Sequence, residues 1–180
     1  MRKVGLPFTP IHLGVALGVG LPFRRFIHLP TFILTSVLLD LEPLAVLVLG
    51  LEHSPHGYLH TFIAALLLGP GIGYVIYIMR RFLESLWRAL LLEVEGGVRL
   101  SSYMVSGFSG YALHVALDSP LYTDIRPFYP LTVNPLLKPG ITISIYVVSS
   151  FIGVYGVTYY IYLLVRNIKR PSINLSQGCS

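Results

Sequence analysis

Four long apolar runs, residues 31–51, 57–79, 103–122 and 141–165, set the first limit on what this chain can become. Each holds about 20 residues or more, enough for an α-helix to cross a hydrocarbon core of roughly 30 Å. An earlier run, residues 11–23, is too short to cross comfortably. Hydrophobic residues make up 54% of the 180 and charged residues only 12%, which is more apolar surface than a soluble core of this size needs. The expectation is an all-α, multi-pass helical membrane protein with about five membrane segments. It forms one domain over residues 1–170, followed by a disordered polar tail at 171–180.

The charge pattern orients these segments. If every run crosses, one side collects Arg24, Arg25, Arg80, Arg81, Arg88, Arg99, Arg166, Lys169 and Arg170, and the other holds Arg2, Lys3, Arg126 and Lys138. The richer side belongs in the cytoplasm of an inner, cytoplasmic membrane, with the N-terminus and the loops at 52–56 and 123–140 outside. A first segment that re-enters instead of crossing would keep Arg2 and Lys3 inside. Basic residues flanking apolar runs account for the net charge of +5, so no nucleic-acid partner is expected. Pro7, Pro10 and His12 interrupt the apolar core that a cleaved signal peptide would need after Met1-Arg2-Lys3. Cys179, the single cysteine, leaves no disulfide framework.

Between the second and third long runs, Phe82, Leu83, Leu86, Trp87, Leu90, Leu91 and Val94 recur at helical spacing among Arg81, Glu84, Arg88 and Glu95. This pattern predicts one cytoplasmic interfacial helix near 81–95, ended by Gly96-Gly97. Gly14 and Gly18 form a GxxxG pair, and Ser106, Gly110, His114 and Asp118 recur every fourth residue on one helix face. Both read first as packing positions.

Against this apolar background, the ionisable groups are unevenly placed. His12, Asp40, Glu42, Glu52, His53, His56, His60, His114, Asp118 and Asp124 fall at run ends that share one membrane face. Each costs roughly 3 kcal/mol or more inside a bilayer, so their concentration points to joint use, and a metal site is the natural one. His114 and Asp118 are one helical turn apart and can face a common ion. A hydrogen-bonded structural pair has the same spacing. Asp40 and Glu42 diverge on an intact helix, but Pro43 biases the preceding residue away from helical geometry and predicts a broken span that lines a cavity. In E-H-S-P-H-G-Y-L-H-T, His60 is already inside the apolar run and is the better ligand, whereas His53 reads as a solvated loop residue. His56 is open between supporting residue, ligand and substrate contact, and is carried as a substrate contact. His28 lies with Arg24 and Arg25 on the other side, away from this group.

Mixed imidazole and carboxylate donors suit zinc, manganese or iron better than calcium. The interleaved acids argue against haem. HExxH, P-loop, GxSxG and CxxC motifs are all absent, which removes the usual signatures of zinc proteases, nucleotide hydrolases and serine esterases.

The ordered set P-F-T-P-I-H-L-G, L-L-D-L-E-P, H-G-Y-L-H-T and H-V-A-L-D resembles the YdjM-like family of inner-membrane-associated, metal-dependent hydrolases. That family is similar in turn to zinc-dependent phospholipases C and single-strand nucleases. The resemblance implies that His12 binds one metal, that Asp40, His60 and His114 bind another, and that Asp118 bridges them. The soluble enzymes carry further histidines for a third metal, and this chain has none after His114, which leaves one or two divalent ions, zinc first among them. The implied activity is hydrolysis of a phosphoester by metal-activated water, with Asp40 or Glu42 accepting a proton and Arg126 in Y-T-D-I-R-P-F-Y-P meeting the phosphate. The expected partners are membrane lipid and an amphiphilic phosphoester substrate. A divalent metal-ion carrier and a non-catalytic, partner-binding membrane protein with a vestigial site are the alternatives.

Overall fold

A computed structural model of the chain describes residues 9–52, 54–92 and 99–168. Six helices occupy them: α1 (Thr9–Phe23), α2 (Leu29–Leu38), α3 (Leu41–Leu49), α4 (Phe62–Ala89), α5 (Leu100–Asp118) and α6 (Thr142–Ile168). No strand occurs among the described residues. The tail at 171–180 lies outside them.

Three segments are long and apolar enough to cross a membrane: Leu29–Leu49, Phe62–Ala89 and Thr142–Asn167. The expected five membrane segments therefore reduce to three that meet both requirements among the described residues. α1 is too short, with 15 residues. α5 has 19 residues, but Ser101, Ser102, Ser106, Ser109, His114 and Asp118 dilute its apolar character. Its position explains the dilution. It packs against both α2 and α4, so Ser106, Gly110, His114 and Asp118 are buried in protein.

The separate interfacial helix expected near 81–95 is also corrected. Residues 80–89 continue α4 without a break, because no glycine or proline lies between Met79 and Ala89 to stop a helix already propagating. At 28 residues, α4 is about 42 Å long, so its amphipathic last third extends beyond a hydrocarbon core of roughly 30 Å. Val94, Glu95 and the Gly96-Gly97 stop lie outside the described residues.

The span broken by Pro43 is present as two helices, α2 and α3. A proline ring collides with the carbonyl four residues back, here that of Leu39, and supplies no amide for it. The chain adapts with three-residue turns: Asp40 N–H donates to Val37 O at 3.1 Å and Glu42 N–H donates to Leu39 O at 3.0 Å. Asp40 sits at that interruption.

Small residues let the bundle close. Gly14 and Gly18 of α1 lie against Gly153, Ile152 and Gly156 of α6, and a methyl group added at Gly18 would run into the Ile152 carbonyl. Gly69 and Gly73 of α4 meet Gly107 and Tyr103 of α5 in the same way. Side chains larger than hydrogen would force these backbones apart.

The helix directions are set by contacts at the two ends. At one end Leu21, Leu29 and Leu163 cluster, His28 N–H donates to Ser106 Oγ at 2.8 Å, and Tyr160 O–H donates to Leu90 O at 2.7 Å. The starts of α1, α4 and α6 and the end of α5 therefore meet at the opposite end, where the α2–α3 break also lies. Large apolar side chains on α3, α4 and α6, including Leu44, Val48, Leu67, Ile78, Phe151 and Val154, point away from the bundle and are exposed. That surface suits lipid.

Candidate metal centre

Five polar side chains converge at the end where α1, α4 and α6 begin. His12 enters from the first turn of α1, where Pro10 is tolerated because the first amides of a helix have no partner within it. Asp40 enters from the α2–α3 break. His60 precedes α4 in a turn closed by Thr61, whose side chain accepts the Ala64 N–H at 3.0 Å. His114 and Asp118 come from the last turns of α5. All five are buried, with His60 and His114 at 0% exposure.

Their donor atoms lie close together. His12 Nε2 is 3.1 Å from Asp118 Oδ1, His114 Nε2 is 3.2 Å from Asp118 Oδ2, and His114 Nε2 is 3.9 Å from Asp40 Oδ1. Two donors bound about 2.0–2.1 Å from one tetrahedral zinc stand roughly 3.3 Å apart, so these separations match ligands of a shared ion. His12, Asp40, His114 and Asp118 form one group whose donor atoms all lie within 4.8 Å of one another, and His56, His60 and Asp118 form a second. Either group can hold a metal ion.

A closed network of ion pairs would use the same contacts, but it leaves several polar atoms at this end without partners. Among the described residues, His12 Nδ1, His60 Nε2, His114 Nε2 and Asp40 Oδ2 are buried without a hydrogen-bond partner. His114 Nε2 is near two carboxylates yet aligned with neither. Each orphaned polar atom costs about 1–3 kcal/mol, a cost that a cation held between them could offset. A cation in each group would account for His114 Nε2 and His60 Nε2, whereas His12 Nδ1 faces away from Asp118.

The outer atoms of the imidazoles are tied down. His114 Nδ1 donates to Ser36 O at 2.8 Å, fixing the tautomer with Nε2 turned inward. His60 Nδ1 is 2.7 Å from Glu42 Oε2, and His56 Nδ1 is 3.0 Å from Asp124 Oδ2. Burial pushes His60 below the usual histidine range, against the pull of Glu42, and so favours the neutral form that binds metal. Burial alone would raise the Asp124 carboxyl. Hydrogen bonds from His56 and Ser54 outweigh it and hold Asp124 well below the carboxylate range.

The structure thus brings His12, Asp40, His60, His114 and Asp118 together, but in different groups from those the family resemblance implies: Asp40 and His114 stand with His12, and His60 stands with His56. Glu42, expected as a proton acceptor, is committed to His60. Arg126 is exposed on the loop after α5 and joins no ion pair among the described residues. Glu52 is exposed, and His53 lies outside the described residues. His28 is at the far end of the bundle. Sequence reading assigned no role to the Ser36 carbonyl, which carries no side-chain signal, or to Asp124, whose link to His56 spans 68 positions.

Beside His12 and Asp118 a small pocket opens between α1, α5 and α6. Ile11, Leu117, Leu121 and Ile145 form its apolar lining, and Tyr122, Tyr146 and Ser149 supply hydroxyls.

Fold and site together define a helical, membrane-type protein with a buried histidine–aspartate group able to hold a metal ion. No protein-family model matches the chain, and neither does a curated protein or a solved structure.

Proposed function

We propose that this chain is a metal-dependent hydrolase of amphiphilic phosphoesters embedded in the inner membrane, of the kind that the YdjM-like motifs imply. The observation that carries the reading is the convergence of His12, Asp40, His114 and Asp118 beside a pocket that leaves one side of the group open. A structural metal site would be closed on all sides by protein ligands.

His12, His114 and Asp118 would hold the ion, zinc by donor chemistry, with Asp40 beside them. A divalent cation bound there supplies Lewis-acid activation of water and charge stabilisation of a departing oxygen. Asp40 Oδ2, buried and unpaired, is placed to accept a proton. Glu42 holds His60 in orientation rather than moving a proton itself. The pocket, about 10 Å³, has room for about one water beside His12 and Asp118, between Ile11, Leu117 and Ile145 and the hydroxyls of Tyr122, Tyr146 and Ser149. Arg126, two residues from Asp124, is the cation this reading assigns to the phosphate.

The test is turnover of phospholipid and isoprenoid-phosphate substrates by the purified, zinc- or manganese-loaded protein, alongside Asp40→Asn. Wild type should exceed the variant by about 100-fold or more. Equal rates on every phosphoester, together with metal flux into proteoliposomes, would replace the hydrolase with a metal carrier.

A further inference from the structure

The connection from α5 to α6, residues 119–141, is longer than the roughly 12–15 residues beyond which loops without helix or strand become uncommon in compact domains. Its inner side is tied down. Ile125 and Pro127 are buried, Pro127 O accepts the Phe62 N–H at 2.8 Å, and Asn134 Nδ2 donates to Ser119 O at 2.7 Å. Asp124, the one acid between Ser119 and Ile141, is taken up by His56 and Ser54. The residues that point outward are therefore fixed there.

That outward side is apolar. Leu131 is 58% exposed and Val133 66%, with Phe128 and Tyr129 exposed on the same loop. Tyr58, from the turn before α4, is 72% exposed and meets Tyr129 edge-on, with ring centroids 5.3 Å apart. The exposed charges of the loop are both positive, Arg126 and Lys138. A loop in water carries polar tips over its apolar anchors, whereas this one is apolar on both sides. Aromatic rings beside basic side chains are the pattern of a membrane–water interface, where the rings sit at headgroup level and the cations reach phosphate. The height of the loop agrees. α6, with 27 residues, is about 40 Å long against a hydrocarbon core of roughly 30 Å, and Arg166 anchors its last turn, so its start lies at headgroup level. Apolar exposure resumes there directly after the loop, at Ile143 and Val147.

We propose that residues 126–138 together with Tyr58 form a plate seated in the membrane. Phe128, Tyr129, Leu131 and Val133 insert into the headgroup layer of the leaflet at the site end, and Arg126 and Lys138 meet its phosphates. A lipid surface fits better than another protein, because the exposed apolar residues run on into a membrane-crossing helix and the cations stand without exposed acids on the loop. The inference does not rest on a metal or on hydrolysis. Tyr146 and Ser149, beside His12 and Asp118, lie about 6–10 Å along α6 from Thr142, which puts the candidate centre beneath the membrane surface.

The experiment places a single tryptophan on the plate: Leu131→Trp in a Trp87→Phe background, since Trp87 is the one native tryptophan. The full chain is reconstituted in phosphatidylcholine vesicles whose acyl chains are brominated either close to the headgroup or close to the chain end, with iodide as the aqueous quencher. Val154→Trp, on the exposed middle of α6 in the same background, is the lipid-buried reference. Emission from position 131 should lose more intensity to the shallow bromine than to the deep one, and emission from position 154 should show the reverse. Quenching at 131 by iodide with no loss to either bromolipid places the loop in water and overturns the inference. Quenching by none of the three means that protein covers the patch, and strongest quenching by the deep bromine puts it in the hydrocarbon; either result also overturns it. Helical content and elution volume identify a variant that fails to fold, and Val133→Trp then carries the comparison.

Discussion

The two ends of the bundle bury histidines with opposite consequences. At the far end, His28 is 2% exposed; its Nδ1 lies 2.7 Å from Thr31 Oγ1 and its ring stacks on Tyr103 at 3.8 Å. No carboxylate pairs with it among the described residues, and burial pushes it down to about 4, so it stays neutral and caps α2. At the near end, His12 and His114 are buried to the same degree but stand against Asp118 and Asp40. Burial by itself makes a structural histidine. Buried carboxylates beside it create a concentration of negative charge that a divalent cation relieves.

The sharpest way to break this contrast is Asp118→Ala, which removes the acid common to both groups. Wild type should gain about 4 kcal/mol of stability at a thousandfold excess of zinc over its Kd, and lose it to a chelator. The variant should show no zinc-dependent change in thermal midpoint. An undiminished shift would mean that the metal binds elsewhere.

A smaller effect belongs to His28. The unfolded chain takes up a proton on this residue near pH 6.5, and the folded chain only near 4. Its stabilising contribution is therefore complete above about pH 6.5 and is lost as pH falls toward 4, with a decline of about 2 kcal/mol between pH 7 and pH 5. Metal-free wild type and His28→Gln should diverge in the pH slope of their stability by that amount, since they differ at this residue alone. Parallel slopes would remove the neutral-histidine account of the far end.

The smallest expected effect is at the near end. Thr61→Ala deletes the side-chain cap of α4 beside His60 and should cost about 1 kcal/mol of stability. If zinc affinity falls along with it, the α4 cap also positions the site. If only stability falls, the imidazole is held by Glu42 alone.

Composition and run length made the helical, membrane-type character legible, because the hydrocarbon thickness sets a length that sequence either meets or does not. The Pro43 break was legible for the same local reason: a proline acts on the carbonyl four residues back whatever surrounds it. Histidine and acid placement marked the near end as the place where these side chains gather, since polar residues in apolar runs need partners. The identity of those partners was not legible. His56 with Asp124, His60 with Glu42, and His114 with the Ser36 carbonyl join positions 18 to 78 residues apart, and only the packing of α2, α4 and α5 selects them. The amphipathic stretch at 81–89 continues α4 instead of standing as a separate helix, and the run at 103–122 forms α5, packed against α2 and α4. A window of sequence records how apolar or amphipathic a helix is, whereas whether that helix meets lipid, water or another helix is decided by the neighbours it packs against.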